Sequence, residues 1–191
     1  VHPLSSLLML KQTEAKARGE VIGIASVTAD TGTATRSLNK YDHRYIAADP
    51  TDVEDYASLS ITFTDGTKAQ VNASDLLLGG TRGFIEAYSS DGVLYGKISP
   101  VDIVKSYYLD EDGLEDVELS EMLLTKTGWN NPFVADETIR GFLGELQDFV
   151  ECIQTGREPI SNFALARDTM KVVYAAYQSA EEGRRIEFGQ S

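Results

Sequence analysis

The stretch "YASLSITFTDGTKAQVNAS", residues 56–74, decides the fold class. In its first half Ala57, Leu59, Ile61 and Phe63 alternate with Tyr56, Ser58, Ser60, Thr62 and Thr64. Successive side chains of a strand point to opposite faces, so this alternation puts one face on a core and leaves the other wet. Asp65-Gly66 follows, the favoured pair for a two-residue hairpin turn whose central positions want positive φ. The return strand alternates again, with Ala69, Val71 and Ala73 against Lys68, Gln70, Asn72 and Ser74.

Working outward, residues 84–88 read as a third strand of this meander. Ser90-Asp91-Gly92 turns it, residues 93–98 come back, and residues 101–109 form a fifth strand. Upstream, residues 21–28 read as a strand and residues 30–52, rich in Thr, Asp, Asn and Ala, as a loop. Residues 2–11 are apolar at Leu4, Leu7, Leu8 and Leu10 with Pro3 early, which predicts a short helix or the C-terminal part of one. Near the end, Ile139, Phe142, Leu143, Leu146, Phe149, Val150 and Ile153 form a helical apolar stripe, with Asp136 placed to cap its start and Gly156 its end. Leu165, Thr169, Val172, Val173, Ala176, Tyr177 and Ala180 form a second stripe, stopped at Gly183, and residues 186–188 suit a last edge strand. The fold class is therefore α+β, a large and mostly antiparallel open sheet with helices packed on one face, in a single domain over residues 1–191.

Charge narrows the partners. Seventeen Lys and Arg against thirty Asp and Glu give a net charge of −13. Such a surface repels phosphate backbones and anionic lipid, which argues against nucleic acid and membrane as partners. The longest apolar run, Leu76-Leu77-Leu78, is far too short to span a bilayer. No basic-then-apolar leader opens these residues, and the one cysteine, Cys152, has no disulfide partner. Cys152 sits in an apolar helical pattern and reads as a buried core thiol, and a cytoplasmic location is expected. The opening Val1-His2-Pro3, without an initiator Met, reads as a cut from a longer polypeptide.

Most chemical motifs fail. His2 and His43 are the two histidines, and neither joins a Ser/His/Asp, Cys/His or metal-ligand pattern. Asp110 and Asp112-Gly113 begin a calcium-loop spacing, but Tyr108 and Leu119 occupy its first and twelfth positions, so residues 110–121 read as a solvated acidic loop. Gly79-Gly80-Thr81-Arg82-Gly83 misses the G-x-G-x-x-G spacing and leads into a strand, so it reads as a turn and not a phosphate cradle. Trp129, in the loop-like Gly128-Trp129-Asn130-Asn131-Pro132, admits two readings. It is either a packing residue or a wall on which the C–H face of a sugar stacks beside the amides. Arg82 and His43 could also face a ligand, but nothing singles them out.

The end of the chain carries a resemblance. The segment "ELQDFVECIQTGREPISNFALARDTMKVVYAAYQSAEEGRRIEF" holds Phe149-x-x-x-Ile153-x-x-Gly156-x-x-Pro159 and then Tyr177-x-Ser179-Ala180-x-x-Gly183. It resembles the C-terminal end of the Gfo/Idh/MocA oxidoreductases, and "EDYASLSITFTDGT" and "LYGKIS" look like that family's sheet. The resemblance implies a two-domain enzyme whose Rossmann domain, with its Gly-rich turn and Glu-Lys-Pro motif, lies upstream with the catalytic lysine. NAD or NADP would bind there and not on these residues. It also implies association of subunits through the sheet, as dimers or dimers of dimers, and a sugar or polyol substrate.

The family's Asp-x-x-x-His motif places its histidine at His2 and its aspartate before Val1. Ser5 stands where the family often has a further Asp, which leaves subfamily and substrate open. Oxidising a secondary alcohol requires removal of the hydroxyl proton, and a histidine titrating near neutrality can take or relay it. The resemblance assigns that part to His2; the plainer reading is a helix-capping or frayed-terminus residue. Two rivals stand beside the enzyme: a non-enzymatic α+β binding or dimerisation module, and a different two-domain dehydrogenase sharing the helix-on-sheet plan. These residues alone are expected to be catalytically inert.

Overall fold

The computed structural model describes residues 1–34, 52–75, 83–97, 104–115, 125–131 and 141–189. His43, the turn at 79–82, the acids at 116–121, Asp136 and Ile139 lie outside the described residues. The elements run α1 (His2–Arg18), β1 (Ile24–Gly32), β2 (Tyr56–Phe63), β3 (Lys68–Ser74), β4 (Phe84–Tyr88), β5 (Gly92–Lys97), β6 (Val104–Tyr108), β7 (Gly128–Asn130), α2 (Phe142–Thr155), α3 (Phe163–Glu182) and β8 (Ile186–Glu187). The fold class is α+β with antiparallel strands, as the alternation predicts. The described strands form two sheets, however, and not one: β3-β2-β1-β8 and β4-β5-β6-β7. The chain divides accordingly into two compact units, one of residues 1–81 with 158–191 and one of residues 82–157. A single meander was read because antiparallel neighbours give the same periodicity whichever sheet they join.

In the first unit the register sets Val27 opposite Ile61 and Ile61 opposite Ala69, with Ala29, Leu59 and Val71 in the next row of that face. Val27 and Ile61 are fully buried, beneath Leu165, Val172, Ala175 and Ala176 of α3 and Leu4 and Leu8 of α1. Leu4, Leu8, Lys11 and Ala15 fall on one stripe of α1, so the helix runs a full turn and more beyond the predicted residue 11 and ends at Gly19. The opposite sheet face carries Tyr56, Ser58, Ser60 and Thr62 beside Lys68, Gln70 and Asn72, and no residue of that row is buried.

The Asp65-Gly66 hairpin departs from its prediction. The Gly66 N–H donates to the Phe63 carbonyl at 3.0 Å and the Phe63 N–H to the Thr67 carbonyl at 2.9 Å, which makes a three-residue loop. Gly66 alone then supplies the left-handed residue, at φ 85°. The first strand also differs: it starts at Ile24 and bulges before Ser26, with Ala25 extra.

In the second unit β4 matches its prediction. β5 begins one residue early at Gly92, and β6 ends at Tyr108, one residue before its predicted end. The predicted residues 98 and 101–103 lie outside the described residues. β7 appears where a loop was read. Three residues are too few to show a period. Gly92 pairs with Tyr108, and a Cβ there would come within 3.1 Å of the Tyr107 carbonyl and the Tyr108 ring. Helix α2 forms and ends at Gly156, but Phe142, Leu146, Phe149 and Ile153 of its apolar stripe are exposed, against the expectation that it packs like α1 and α3. With that stripe open, Cys152 is half-buried and not a core thiol; its sulfur accepts from Arg157 at 3.2 Å.

Candidate functional site

His2 is the first residue of α1, and its place is set by the turn that follows. Pro3 stands where its missing N–H breaks no bond, and Leu4 and Leu8 anchor the helix in the core. The hydroxyls of Ser5 and Ser6 donate to the His2 carbonyl, each at 3.0 Å. The N-cap is Val1, and no side chain caps the helix. His2 therefore does not cap the helix, and the frayed-terminus half of the plainer reading stands beside the catalytic one. Its side chain is exposed and makes no hydrogen bond among the described residues, so both ring nitrogens are open to a ligand or a proton.

Trp129 lies on β7, opposite Tyr107 of β6. Directly paired residues share a face, as do residues two apart, so Tyr88, Val93, Tyr107 and Trp129 line up with Glu86, Tyr95 and Lys105 on one side of the sheet. The rings meet there. Tyr95 lies parallel to Trp129 with centroids 5.8 Å apart, Tyr107 tilts against it at 5.3 Å, and Tyr88 meets Tyr95 edge-on at 6.0 Å. The Lys105 ammonium sits 4.8 Å from the Trp129 ring centroid, a cation–π contact. Trp129 nevertheless stays 54% exposed, so it is a surface aromatic and not a core residue. The Tyr88 hydroxyl hydrogen-bonds with Tyr95 and donates to Glu86 at 3.0 Å, which holds its proton above the ordinary phenol range.

His2 belongs to the first unit and Trp129 to the second. The sequence reading missed Tyr95, Tyr107 and Lys105: period-2 spacing puts Lys105 with Tyr107 on one face of β6, but only the pairing with β5 sets Tyr95 beside them. It could not supply the pairing with β7 that brings Trp129 to them. Among the described residues no group of three His, Cys, Asp or Glu side chains could hold a metal ion. No described helix is long and apolar enough to cross a membrane.

The family model described as "Oxidoreductase family, C-terminal alpha/beta domain" matches residues 20–188. The chain belongs to this Gfo/Idh/MocA family. Several solved structures share its fold. A crystal structure of GenD2 from gentamicin A biosynthesis in complex with NAD is 25% identical, with a TM-score of 0.57 over 88% of this chain and 42% of that one. An NAD binding oxidoreductase from Klebsiella pneumoniae is 18% identical with a TM-score of 0.63, over 88% of this chain and 46% of that one. The WlbA dehydrogenase from Bordetella pertussis, in complex with NADH and UDP-GlcNAcA, is 19% identical with a TM-score of 0.54, over 88% and 41%. This oxidoreductase domain thus spans less than half the length of the solved chains it resembles. No curated protein matches the sequence.

Proposed function

We propose that residues 1–191 act as the C-terminal substrate-binding and oligomerisation domain of an NAD(P)-dependent oxidoreductase that acts on a sugar, polyol or related compound. The observation that carries this reading is His2, an exposed imidazole with no hydrogen-bond partner among the described residues, on a helix whose other face is locked in the core. Family membership supplies the chemistry, and the NAD named with GenD2 and the NADH named with WlbA support a nicotinamide cofactor.

Two of the described helix starts offer few free N–H groups to a pyrophosphate. Val1 and Pro3 open α1, and at α3 the Asn162 side chain already takes the Leu165 N–H at 2.9 Å. In this reading cofactor binding belongs to a preceding domain, as the family resemblance implies, and with it the catalytic lysine and the aspartate of the family motif. This chain contributes the proton acceptor. As an alcohol carbon gives up its hydride, the hydroxyl proton passes to a His2 ring nitrogen and leaves through the other toward solvent. The open polar face of β2 and β3 suits pairing of two subunits through the sheet, and a reducing cytoplasm suits the single thiol.

In the full-length enzyme, His2→Ala should lower turnover by about 10²–10⁴-fold, the usual contribution of a general acid–base group, with cofactor affinity nearly intact. Unchanged turnover together with a lowered melting temperature would reject the catalytic reading and leave His2 as structure.

A further inference from the structure

Helices α1 and α3 pack against each other over the core of the first sheet, and the side that each turns away from that core is uncharged or apolar as well. From these outward sides we infer a docking face for the preceding, nicotinamide-binding domain, spread over α1 and α3 and containing His2. The inference rests on the two-domain reading above and deepens it by naming the surface that meets the other domain.

Three observations carry it. The outward side of α1 runs through His2, Ser6, Met9 and Thr13, spaced i, i+4, i+7 and i+11, with Leu10 beside them. No charged side chain falls on that line: Lys11 is buried, Glu14 pairs with it, and Lys16 and Arg18 come only in the last turn. A helix with water along one side carries charge there, and a helix without a charged side is one covered on both. Next, the hydroxyls on the line are already satisfied. Ser6 donates to the His2 carbonyl at 3.0 Å and Thr13 to the Met9 carbonyl at 2.9 Å, so an apolar cover strands neither. Finally, α3 carries two stripes. Leu165, Val172 and Ala176 face the core, while Phe163, Met170, Tyr174 and Tyr177 fall on the opposite side. Phe163 is 94% exposed and Tyr174 70%, and these rings alone leave about 300 Å² of mostly apolar surface open. With Met170 and Tyr177 the patch reaches the size at which exposed apolar surface marks a contact. The Tyr177 hydroxyl, too, is already satisfied, since it donates to Glu54 at 2.6 Å. Length and place select the occupant. More than half of each solved chain described above lies outside the region that matches, and a domain preceding Val1 would join at the start of α1, beside His2.

Single cysteines on a Cys152→Ser background report cover through their rate of maleimide labelling. Thr13→Cys on α1 and Phe163→Cys on α3 are compared in the 191-residue chain and in the full-length polypeptide. Lys68→Cys, exposed on the opposite face of the sheet, serves as the reference, and melting temperatures confirm that the variants fold. Both helix sites should label at least about tenfold more slowly in the full-length polypeptide, relative to that reference. Phe163→Glu with Tyr174→Glu should return labelling at Thr13→Cys to the rate of the 191-residue chain without lowering the melting temperature of that chain. Equal rates in the two chains at both helix sites would overturn the docking face. Protection already present in the 191-residue chain and rising with its concentration would assign the face to a second copy and overturn it as well. Turnover of His2→Ala reads the enzymatic proposal separately: protected helix sites in an enzyme indifferent to that change would keep the docking face and remove the catalytic role.

Discussion

Lys11 is a charged residue only 8% exposed, and its neighbours explain how the core accommodates it. Its ammonium meets Glu14 at 2.7 Å and Asp65 at 2.8 Å and lies 5.2 Å from the Phe63 ring centroid. Burial pulls the Lys11 pKa down, but hydrogen bonds to Asp65 and Glu14 outweigh it, and the net shift is upward from 10.5. Burial likewise pushes Asp65 up, yet hydrogen bonds from Lys11 and Thr67 hold it down at about 2, against an ordinary 3.8. A depressed acid stabilises the fold above its ordinary pKa and loses that contribution as pH falls through the folded value; a raised base stabilises below its ordinary pKa and loses that contribution as pH rises. The pair therefore contributes fully between pH 3.8 and 10.5, and its acid limb lies between pH 3.8 and about 2. Asp65→Asn should cost about 1.5–3 kcal/mol near neutrality, the usual worth of a hydrogen bond to a charged group, since it leaves the buried ammonium with one carboxylate, and should remove that acid limb. Chemical denaturation of both proteins at pH 2, 4 and 7 checks this, and parallel pH curves would refute it. In sequence Asp65 was legible only as a turn residue, because Lys11 lies far away along the chain.

Among the elements, α3 shows how the family motif at 177–183 works. Ser179 is buried and its hydroxyl accepts the Ala29 N–H at 3.0 Å while donating to the Arg184 carbonyl at 2.7 Å. The reason lies in the lengths of two strands. β8 pairs with β1 only at Ser26 and Val27, so Ala29, which is paired with Leu59 of β2 on its other side, runs past β8, and the helix satisfies its N–H. Gly183, at φ 65°, then turns the chain out of α3 so that β8 can reach β1. Ser179→Ala should destabilise by about 1–3 kcal/mol by stranding a buried N–H, and the Ala29 amide should exchange faster by hydrogen–deuterium measurement. A loss of stability without faster exchange at Ala29 would refute that mechanism. The sequence made α3 and β2 readable because each buries one clean stripe. It left β7 unread because Gly128, Trp129 and Asn130 show no period, and it misplaced the fate of α2 because an apolar stripe records what can be buried and not what covers it. The candidate site followed the same rule: His2 and Trp129 stood out as residue types, while Tyr95, Tyr107 and Lys105 needed strand pairing to become neighbours.

At the scale of the molecule, charge and missing partners set the behaviour. The proposed subunit pairing through Tyr56, Ser60, Thr62, Gln70 and Asn72 must work against a net charge of −13 on each copy. Light scattering should therefore report a dimer whose population rises with added salt, since salt screens the repulsion; a monomer at every salt and protein concentration would count against the pairing. The same 191 residues should not bind NAD or NADP with a dissociation constant below roughly 100 µM, and calorimetric titration showing tighter binding would undo the assignment of the cofactor to another domain.

The first unit is built from both ends of the sequence, residues 1–81 and 158–191. Its core closes only when Leu165 and Val172 of α3 cover Val27, Leu59 and Ile61. On a translating ribosome roughly ninety residues separate the end of β3 from the start of α3. At about 5–20 residues per second, the nascent hairpin's greasy side stands uncovered for several seconds. That interval is an opening for chaperone capture, and a messenger that stops before Phe163 would yield a product that can never leave it.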